Sequence, residues 1–187
     1  MIQLIQPYIE ENIRALKMGD MVHVTGVVYT GRDAVHKYLH EGGAPPVSLE
    51  NQMIYHCGPV VIKEKGKWVV KAAGPTTSIR EEPYQAHLIE KYKLRAVVGK
   101  GGMGPKTLEA CARFGCVYLH AVGGAAQVLA DCVTEVLGVY LEQFGSPEAI
   151  WAFRVKEFPA VVTMDAHGNS LHAAVLEQSK ERLKQFA

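Results

Sequence analysis

One lysine stands alone in a run of glycines, in a segment whose composition favours the binding of an anion. Lys100 lies between Gly99 and Gly101, after an apolar stretch at residues 94–98. The loop ends at Pro105, which suits the first position of a helix because no backbone N–H there needs a partner. A glycine loop before a helix directs backbone N–H groups and the positive end of the helix dipole at one spot. The sequence therefore predicts an anion-binding loop, in which Lys100 adds a full positive charge.

The same loop fits, letter by letter, a motif of dinucleotide-binding proteins. Residues 99–104 match G-x-G-x-x-G between a predicted strand and a predicted helix. That motif also requires an acidic residue at the end of the next strand to hold the ribose, and residues 116–123 contain neither Asp nor Glu. A Walker A loop fails too, because Pro105 separates Gly104 from Lys106. These departures favour a carboxylate over a nucleotide as the bound anion.

Two further loops carry basic and hydroxyl side chains at the ends of predicted strands. Arg32 and His36 lie four residues apart at the start of a predicted helix, and Thr76 and Arg80 share a polar loop. Open α/β sheets gather their binding sites at such strand ends. Because arginine binds carboxylates in a bidentate manner, two arginines and Lys100 suit a small dicarboxylate better than a single phosphate. His36 and Thr76 are then the candidates for moving a proton.

Each of these groups also has an ordinary structural explanation. Arg32 followed by Asp33 is typical of a solvated helix start, and a histidine such as His36 is often a surface or packed residue. The hydroxyls at residues 76–78 are typical of turns and helix caps. The agreement of three strand ends favours the functional interpretation, although periodicity alone does not prove that the loops meet in space.

The elements that must position these loops alternate between strand and helix through the middle of the chain. Apolar runs and helical spacing predict strands at residues 1–5, 21–29, 52–56, 60–64, 68–73, 94–98, 116–120, 135–141, 150–155 and 160–164, and helices at residues 9–17, 32–40, 82–92, 106–114, 127–132 and 174–186. Thr30 or Gly31 is the predicted cap of the second helix. The alternation predicts an α/β fold with a partly parallel central sheet, in a single domain of residues 1–187.

Composition excludes several classes of protein. Apolar residues make up 48% of the chain and charged residues 21%, so a sizeable core is expected. A net charge of +1 gives no electrostatic basis for binding nucleic acid or an acidic membrane surface. Residues 1–7 have no basic region before a long apolar run, so we expect no signal peptide, no membrane span and a cytoplasmic location. The four cysteines lack C-x-x-C spacing and are expected to be buried thiols rather than metal ligands: Cys57, Cys111, Cys116 and Cys132.

Three motifs, in this order along the chain, closely resemble the β-subunit, or C-terminal half, of iron–sulfur class I fumarate hydratases and L-tartrate dehydratases. They are residues 30–37, 74–80 and 98–104, and the similarity continues through residues 121–126 and 158–169. The resemblance implies a swivelling β/β/α domain that completes an active site with a separate α-subunit. In that family the α part holds a [4Fe–4S] cluster whose open iron binds the substrate. This chain would therefore provide no metal ligand and would be inactive alone.

The resemblance also implies roles for individual residues. Arg32, Arg80 and Lys100, with Gly101 beside Lys100, would bind the substrate carboxylates, and Thr76 would be the base that transfers a proton. His36 matches a histidine to which an acid or base role is sometimes assigned, although its imidazole could instead order Asp33 or the loop. The implied reaction is the reversible trans addition of water across a carbon–carbon double bond.

The substrate is expected to be fumarate, converted to malate. Gly31 before Arg32 and the run at residues 121–126 resemble the fumarase branch, whereas the tartrate branch tends to have a cysteine before the arginine. L-Tartrate, dehydrated to oxaloacetate, and mesaconate remain alternatives. A non-enzyme alternative is an assembly domain that contributes no catalytic group. We expect a hetero-oligomer with the α-subunit, and self-association as a homodimer is possible when the chain is isolated.

Overall fold

A mixed sheet of seven strands forms the centre of the computed structural model, which describes residues 1–186. The strands are β1 (Ile2–Ile5), β2 (Met21–Thr30), β3 (Met53–Tyr55), β4 (Val60–Glu64), β5 (Lys67–Ala72), β6 (Ala96–Gly99), β7 (Val117–His120), β8 (Val133–Tyr140) and β9 (Ile150–Met164). The helices are α1 (Glu10–Ala15), α2 (Asp33–His40), α3 (Glu82–Tyr92), α4 (Pro105–Phe114), α5 (Ala126–Asp131) and α6 (Leu171–Leu183), with 3-10 turns at Ser78–Glu81 and Glu142–Phe144. Strands β4 and β5 form the predicted hairpin, outside the main sheet.

Five strands close the sheet into a barrel. Strands β2, β3, β6 and β7 lie side by side in parallel, and β9 runs antiparallel to both β2 and β7. Strand β1 extends the sheet along the first half of β2, and β8 pairs with β9. The predicted α/β class and partly parallel sheet are confirmed. Closure of the sheet into a barrel is a feature that the sequence analysis did not predict.

Residues 150–164 form one continuous strand, so the prediction of two separate strands there is wrong. The first half of β9 pairs with β8 and its end pairs with β7, while β2 runs along the other edge. Glu157 has a φ of 52° at the point where the register with β2 shifts. Such a bulge bends a strand without ending it. The polar residues at this point therefore mark a bend that allows one strand to serve three neighbours.

Successive residues of the short parallel strands face two different apolar layers. In β6, Ala96 and Val98 point into the barrel, whereas Val97 packs against the layer formed with the outer helices. Tyr118 of β7 faces the same outer layer, which also contains Leu88 of α3. Strands buried on both faces read as continuous apolar runs, which is why their positions were easy to predict. This two-sided packing fixes the positions of the strand ends.

Two helix starts differ from the sequence prediction. Arg32 itself occupies the N-cap position of α2, and the carboxylate of Glu148 accepts from the N–H of Ala34 at 3.1 Å, so neither Thr30 nor Gly31 caps this helix. Helix α6 begins at Leu171 with Ser170 as its cap, ahead of the predicted start at residue 174. Within residues 1–186, none of the helices combines the length and the apolar character that a membrane span requires.

Candidate active site

The three predicted loops meet at one end of the barrel. Because β2, β3, β6 and β7 are parallel, their carboxyl ends lie on the same side. The Thr76 N–H donates to the carbonyl of His56 at 2.7 Å, at the end of β3, and the Lys100 N–H donates to the Thr76 carbonyl at 3.3 Å. The Ser78 N–H returns a bond to the Lys100 carbonyl at 3.0 Å. The backbones of the second and third loops are therefore tied together around Thr76 and Lys100.

The first loop reaches the same place through its charged side chains. Arg80, from the second loop, forms an ion pair with Asp33, which follows Arg32 in the first loop. The guanidinium of Arg32 lies 3.2 Å from a carboxylate oxygen of Glu148. Within residues 1–186 the buried Nε of Arg32 has no hydrogen bond of good geometry, so this contact is an ion pair rather than an aligned hydrogen bond. Both arginines therefore have an acidic neighbour within the chain.

Lys100 differs from the two arginines in having no ion pair with any residue in the 1–186 range. The aliphatic part of its side chain passes beside Gly123, where an added Cβ would lie 3.4 Å from the lysine Cδ. The side chain is half-buried, next to the exposed Gly101, whose φ of 80° is a left-handed conformation that favours glycine. An uncompensated cation beside an open backbone segment is suited to receiving an anionic ligand.

The hydroxyl of Thr76 likewise has no hydrogen-bond partner among the residues that the structure describes. The residue is partly exposed, and its Oγ1 forms no hydrogen bond within the described part of the chain, although both of its backbone groups are bonded. A hydroxyl that is held by its backbone but not by its own oxygen is available to a ligand. Thr76 and Lys100 are thus the two predicted site residues whose side chains have no hydrogen bond or ion pair within residues 1–186.

The helix after the glycine loop does not offer its N-terminus to a ligand, and this part of the anion-loop prediction is wrong. The carboxylate of Glu82 accepts hydrogen bonds from the N–H groups of Gly104 at 2.8 Å, Lys106 at 3.0 Å and Thr107 at 3.2 Å. It also accepts from the Thr107 hydroxyl at 2.6 Å. A side chain of the same protein therefore occupies the positive end of α4. What remains for a ligand in this loop is Lys100 and the exposed backbone at Gly101.

His36 lies inside the protein, behind the loops. It is fully buried, and its Nδ1 is 2.9 Å from the carbonyl oxygen of Arg32. Its Nε2 lies 3.0 Å from the side-chain amide of Gln85, which also lies 2.9 Å from Nε2 of His56. Burial lowers the pKa of His36, and burial together with the neighbouring His36 lowers the pKa of His56 further. Both imidazoles are therefore neutral near pH 7, and both ring nitrogens of His36 have internal partners.

Glu81 is a second buried titratable group beneath the charged side chains. It is fully buried, and neither carboxyl oxygen has a hydrogen-bond partner among residues 1–186. Burial, followed by the nearby Asp33 carboxylate, raises its pKa to about 8. The 3.9 Å contact between Glu81 and His36 therefore joins two uncharged groups near neutral pH. A protonated Glu81 places no negative charge under Arg32 and Arg80, so it does not compete with an anionic ligand for them.

The buried carboxyl of Glu81 should make the protein less stable as the pH rises. The folded state keeps the proton up to about pH 8, whereas the unfolded chain releases it near pH 4.5. Between these values the folded state binds more protons, so the free energy of unfolding falls by about 1.4 kcal/mol per pH unit and levels off above pH 8. Urea unfolding should show that Glu81→Gln is more stable than the wild type at pH 8 and less dependent on pH. Glu50→Gln, at an exposed carboxyl, is the control, and a slope unchanged by Glu81→Gln would contradict this account.

Several residues that support the site were not singled out from the sequence. These residues come from helices, a strand and connecting segments, and each contacts a side chain or backbone group of the three site motifs: Glu148, Glu82, Gln85, His56 and Tyr118. Only His56 had a usable signal, since it directly follows β3 at the same end of the barrel as the other loops. The inward orientation of the others depends on packing that spacing does not encode.

The cysteines do not fit an iron–sulfur cluster. Cys57, Cys111 and Cys116 are buried and Cys132 is partly exposed. Across residues 1–186, His, Cys, Asp and Glu side chains nowhere gather in a group of three that could hold a metal ion. Burial raises the pKa of Cys57 to about 12, which disfavours the thiolate that a metal requires. A metal cluster that acts at this site must therefore be held by other residues than these.

Comparison with known proteins decides the family. The family model described as Fumarase C-terminus matches residues 1–175. The chain belongs to the Fumarase C-terminus family. It is 61% identical, over 186 residues and 99% of its length, to a Geobacillus stearothermophilus protein provisionally named fumarate hydratase class I. The chain spans only 36% of the length of that protein.

Other relatives in the Fumarase C-terminus family are similar to the chain over most of their own length. The L(+)-tartrate dehydratase subunit beta of Escherichia coli K12 is 40% identical over 172 residues, which is 91% of this chain and 86% of that subunit. A Methanocaldococcus jannaschii protein is also provisionally named L(+)-tartrate dehydratase subunit beta. It is 38% identical over 183 residues, which is 95% of this chain and 94% of that protein. The family therefore includes both long proteins and separate subunits of the size of this chain.

Proposed function

We propose that this chain is the β part of a class I hydro-lyase that adds water to fumarate reversibly, forming malate, in combination with an α part. The observation that carries this proposal is the meeting, at one end of the barrel, of three loops that bear Arg32, Arg80, Lys100 and a free Thr76 hydroxyl. Membership of a family with fumarate hydratase and tartrate dehydratase relatives supports the choice of reaction.

Lys100 is proposed to bind one substrate carboxylate because, unlike Arg32 and Arg80, it has no ion pair with a residue in the described range 1–186. Arg32 and Arg80 would bind the other carboxylate while they keep their contacts with Glu148 and Asp33. This sharing is possible because a guanidinium has five N–H donors and each contact uses only part of them. The exposed backbone of Gly101 would contribute to the pocket next to Lys100.

Thr76 is proposed to move the proton at the carbon next to a carboxylate. In the direction of dehydration its Oγ1, ionised to the alkoxide, would accept that proton and become a hydroxyl, and in hydration the hydroxyl would return the proton. The negative charge that develops on the substrate would then lie on the carboxylate oxygens, where nearby cations stabilise it. His36 is too enclosed to reach a substrate, so we propose that it acts on the loop of Arg32 instead.

The [4Fe–4S] cluster is proposed to belong to the α part, since the cysteines described above do not fit it. The naming of two relatives as beta subunits supports the existence of an α partner. That partner is either a separate subunit or the remainder of a longer chain, as the length of the Geobacillus protein suggests. We further propose that this β domain swivels against the α part to open and close the site.

L-Tartrate is the second candidate substrate, since the tartrate dehydratase subunit matches nearly the whole chain. The assembled α and β parts, reconstituted anaerobically with the cluster, should be assayed with fumarate, L-tartrate and mesaconate. We expect the highest kcat/KM with fumarate. A higher value with L-tartrate or mesaconate would contradict the assignment of substrate, and no turnover with any of the three would leave this chain as an assembly domain.

A further inference from the structure

A continuous chain of buried hydrogen bonds connects all three site loops behind the candidate active site. It begins at the carbonyl of Arg32, which faces Nδ1 of His36, and passes through Gln85 to His56. Nδ1 of His56 lies 2.9 Å from the hydroxyl of Ser78, in the second loop. His36, His56, Ser78 and Gln85 are all fully buried.

The same chain continues from Ser78 to the glycine loop. The Tyr118 hydroxyl donates to Oγ of Ser78 at 2.9 Å. The backbone N–H of Ser78 donates to the carbonyl of Lys100, in the glycine loop, at 3.0 Å. A Cβ at Gly99 would lie 1.8 Å from the Ser78 oxygen, so the glycine is required for this close approach. One hydrogen-bonded series therefore runs from the first loop through the second to the third.

The direction of the hydrogen bonds follows from the group at each end. The carbonyl of Arg32 can only accept, so the proton of a neutral His36 is on Nδ1, and its Nε2 must accept. The Gln85 group that faces it must then be the amide NH₂, whose two hydrogens serve His36 and His56. The structure has Oε1 of Gln85 facing both rings and leaves Nε2 buried without a hydrogen-bond partner within residues 1–186, a costly arrangement that exchanging the two amide atoms relieves. His56 in turn donates its Nδ1–H to Ser78.

We propose that Gln85 is a positioning residue which, by donating to two neutral histidines, fixes the loop of Arg32 relative to the loops of Thr76 and Lys100. This inference rests on the proposed function for its catalytic consequence, but the hydrogen-bond arrangement does not. Gln85 lies on α3, which packs against both α2 and α4, so its position is set by the scaffold rather than by the loops. The Gln85 amide thus holds the three loops in fixed positions relative to helix α3.

The protonation pattern can be measured without any assay of activity. Long-range ¹H–¹⁵N spectra of this 187-residue chain at pH 7 should show His36 and His56 with a proton on Nδ1 and none on Nε2. In Gln85→Glu the carboxylate can only accept, so His36 should become an imidazolium with both nitrogens protonated. An Nε2 proton on either histidine of the wild-type chain would overturn the proposal.

Activity of the assembled complex separates positioning from simple filling of space. Gln85→Leu removes the hydrogen bonds at nearly the same volume, and we expect kcat/KM to fall about 100-fold, as for a small misplacement of catalytic groups. In Gln85→Glu the carboxylate accepts hydrogen bonds from Nε2 of both histidines, so both contacts are restored with donor and acceptor exchanged. This variant should recover part of the loss. A residue that only fills space would give the opposite order, because leucine suits a buried site better than a carboxylate.

Leu88→Ala is the matched control on the same helix. Leu88 is fully buried in the apolar layer and takes no part in the polar chain, so this variant should lose stability while kcat/KM stays unchanged. Equal kcat/KM for Gln85→Leu and Gln85→Glu, or a higher value for leucine, would overturn the proposal. Absence of turnover in the wild-type complex would instead contradict the proposed function, and the spectra would still decide the arrangement of protons.

Discussion

Thr76→Ala should lower kcat by about 10²- to 10⁴-fold, the range typical of the loss of a general acid or base. The backbone N–H and carbonyl of Thr76 hold its loop in place, and both bonds survive the substitution. Since Oγ1 has no partner within residues 1–186, its removal leaves no buried group unsatisfied. Steady-state kinetics of the assembled complex should therefore show a large loss of kcat with normal assembly.

Thr77→Ala is the matched control for this prediction. It removes the same atoms from the adjacent residue, whose side chain is exposed. Assembly and turnover close to the wild-type values are expected. If Thr76→Ala retained normal kcat, or if both variants lost activity equally, Thr76 would not be the residue that moves the proton.

Lys100→Met should lower kcat/KM by at least about 30-fold, which corresponds to a free-energy loss of about 2 kcal/mol or more. Methionine keeps much of the apolar stem beside Gly123 but removes the only charge among Arg32, Arg80 and Lys100 that lacks an acidic neighbour within residues 1–186. A carboxylate brought into the closed site would then lack its cation. The loss should be measured as a rise in KM together with a fall in kcat, because the charge of the substrate grows in the transition state.

Lys106→Met is the corresponding control, since Lys106 is exposed in the first turn of α4 and only its backbone N–H takes part in the Glu82 contact. The two substitutions change the net charge equally. Equal losses in both variants would show a general electrostatic effect rather than a specific contact of Lys100 with substrate.

The meeting of the first and third loops was predictable because it depends on strand direction, whereas the second loop follows β5 of the hairpin outside the main sheet. The strands before Arg32 and Lys100 read clearly as apolar runs, and parallel strands place their ends together whatever the details of packing. The family resemblance named the same loops through their motifs, and the match over residues 1–175 confirms that resemblance. The sequence therefore indicates most of the candidate site residues at this end of the barrel, namely Arg32, Thr76, Arg80 and Lys100.

The occupant of the α4 N-terminus and the buried chain through Gln85 were not predictable in the same way. Glu82 lies on another helix, α3. The glycine loop predicts free N–H groups at the start of α4, but the sequence does not show which distant carboxylate accepts hydrogen bonds from them. His36 and Gln85 are separated by 49 residues, and their contact exists only because α2 packs against α3. Long-range polar contacts of this kind carry no periodic signal.

The central claim is that this chain supplies the substrate-binding and proton-transferring half of a hydro-lyase site. It is tested most directly by adding the purified chain, in increasing amounts, to the α part loaded with its [4Fe–4S] cluster under anaerobic conditions. Formation of malate from fumarate should be absent with either part alone and should rise with added chain until the two parts are equimolar. Turnover by the α part alone, or no turnover at any ratio despite formation of the complex, would contradict the claim.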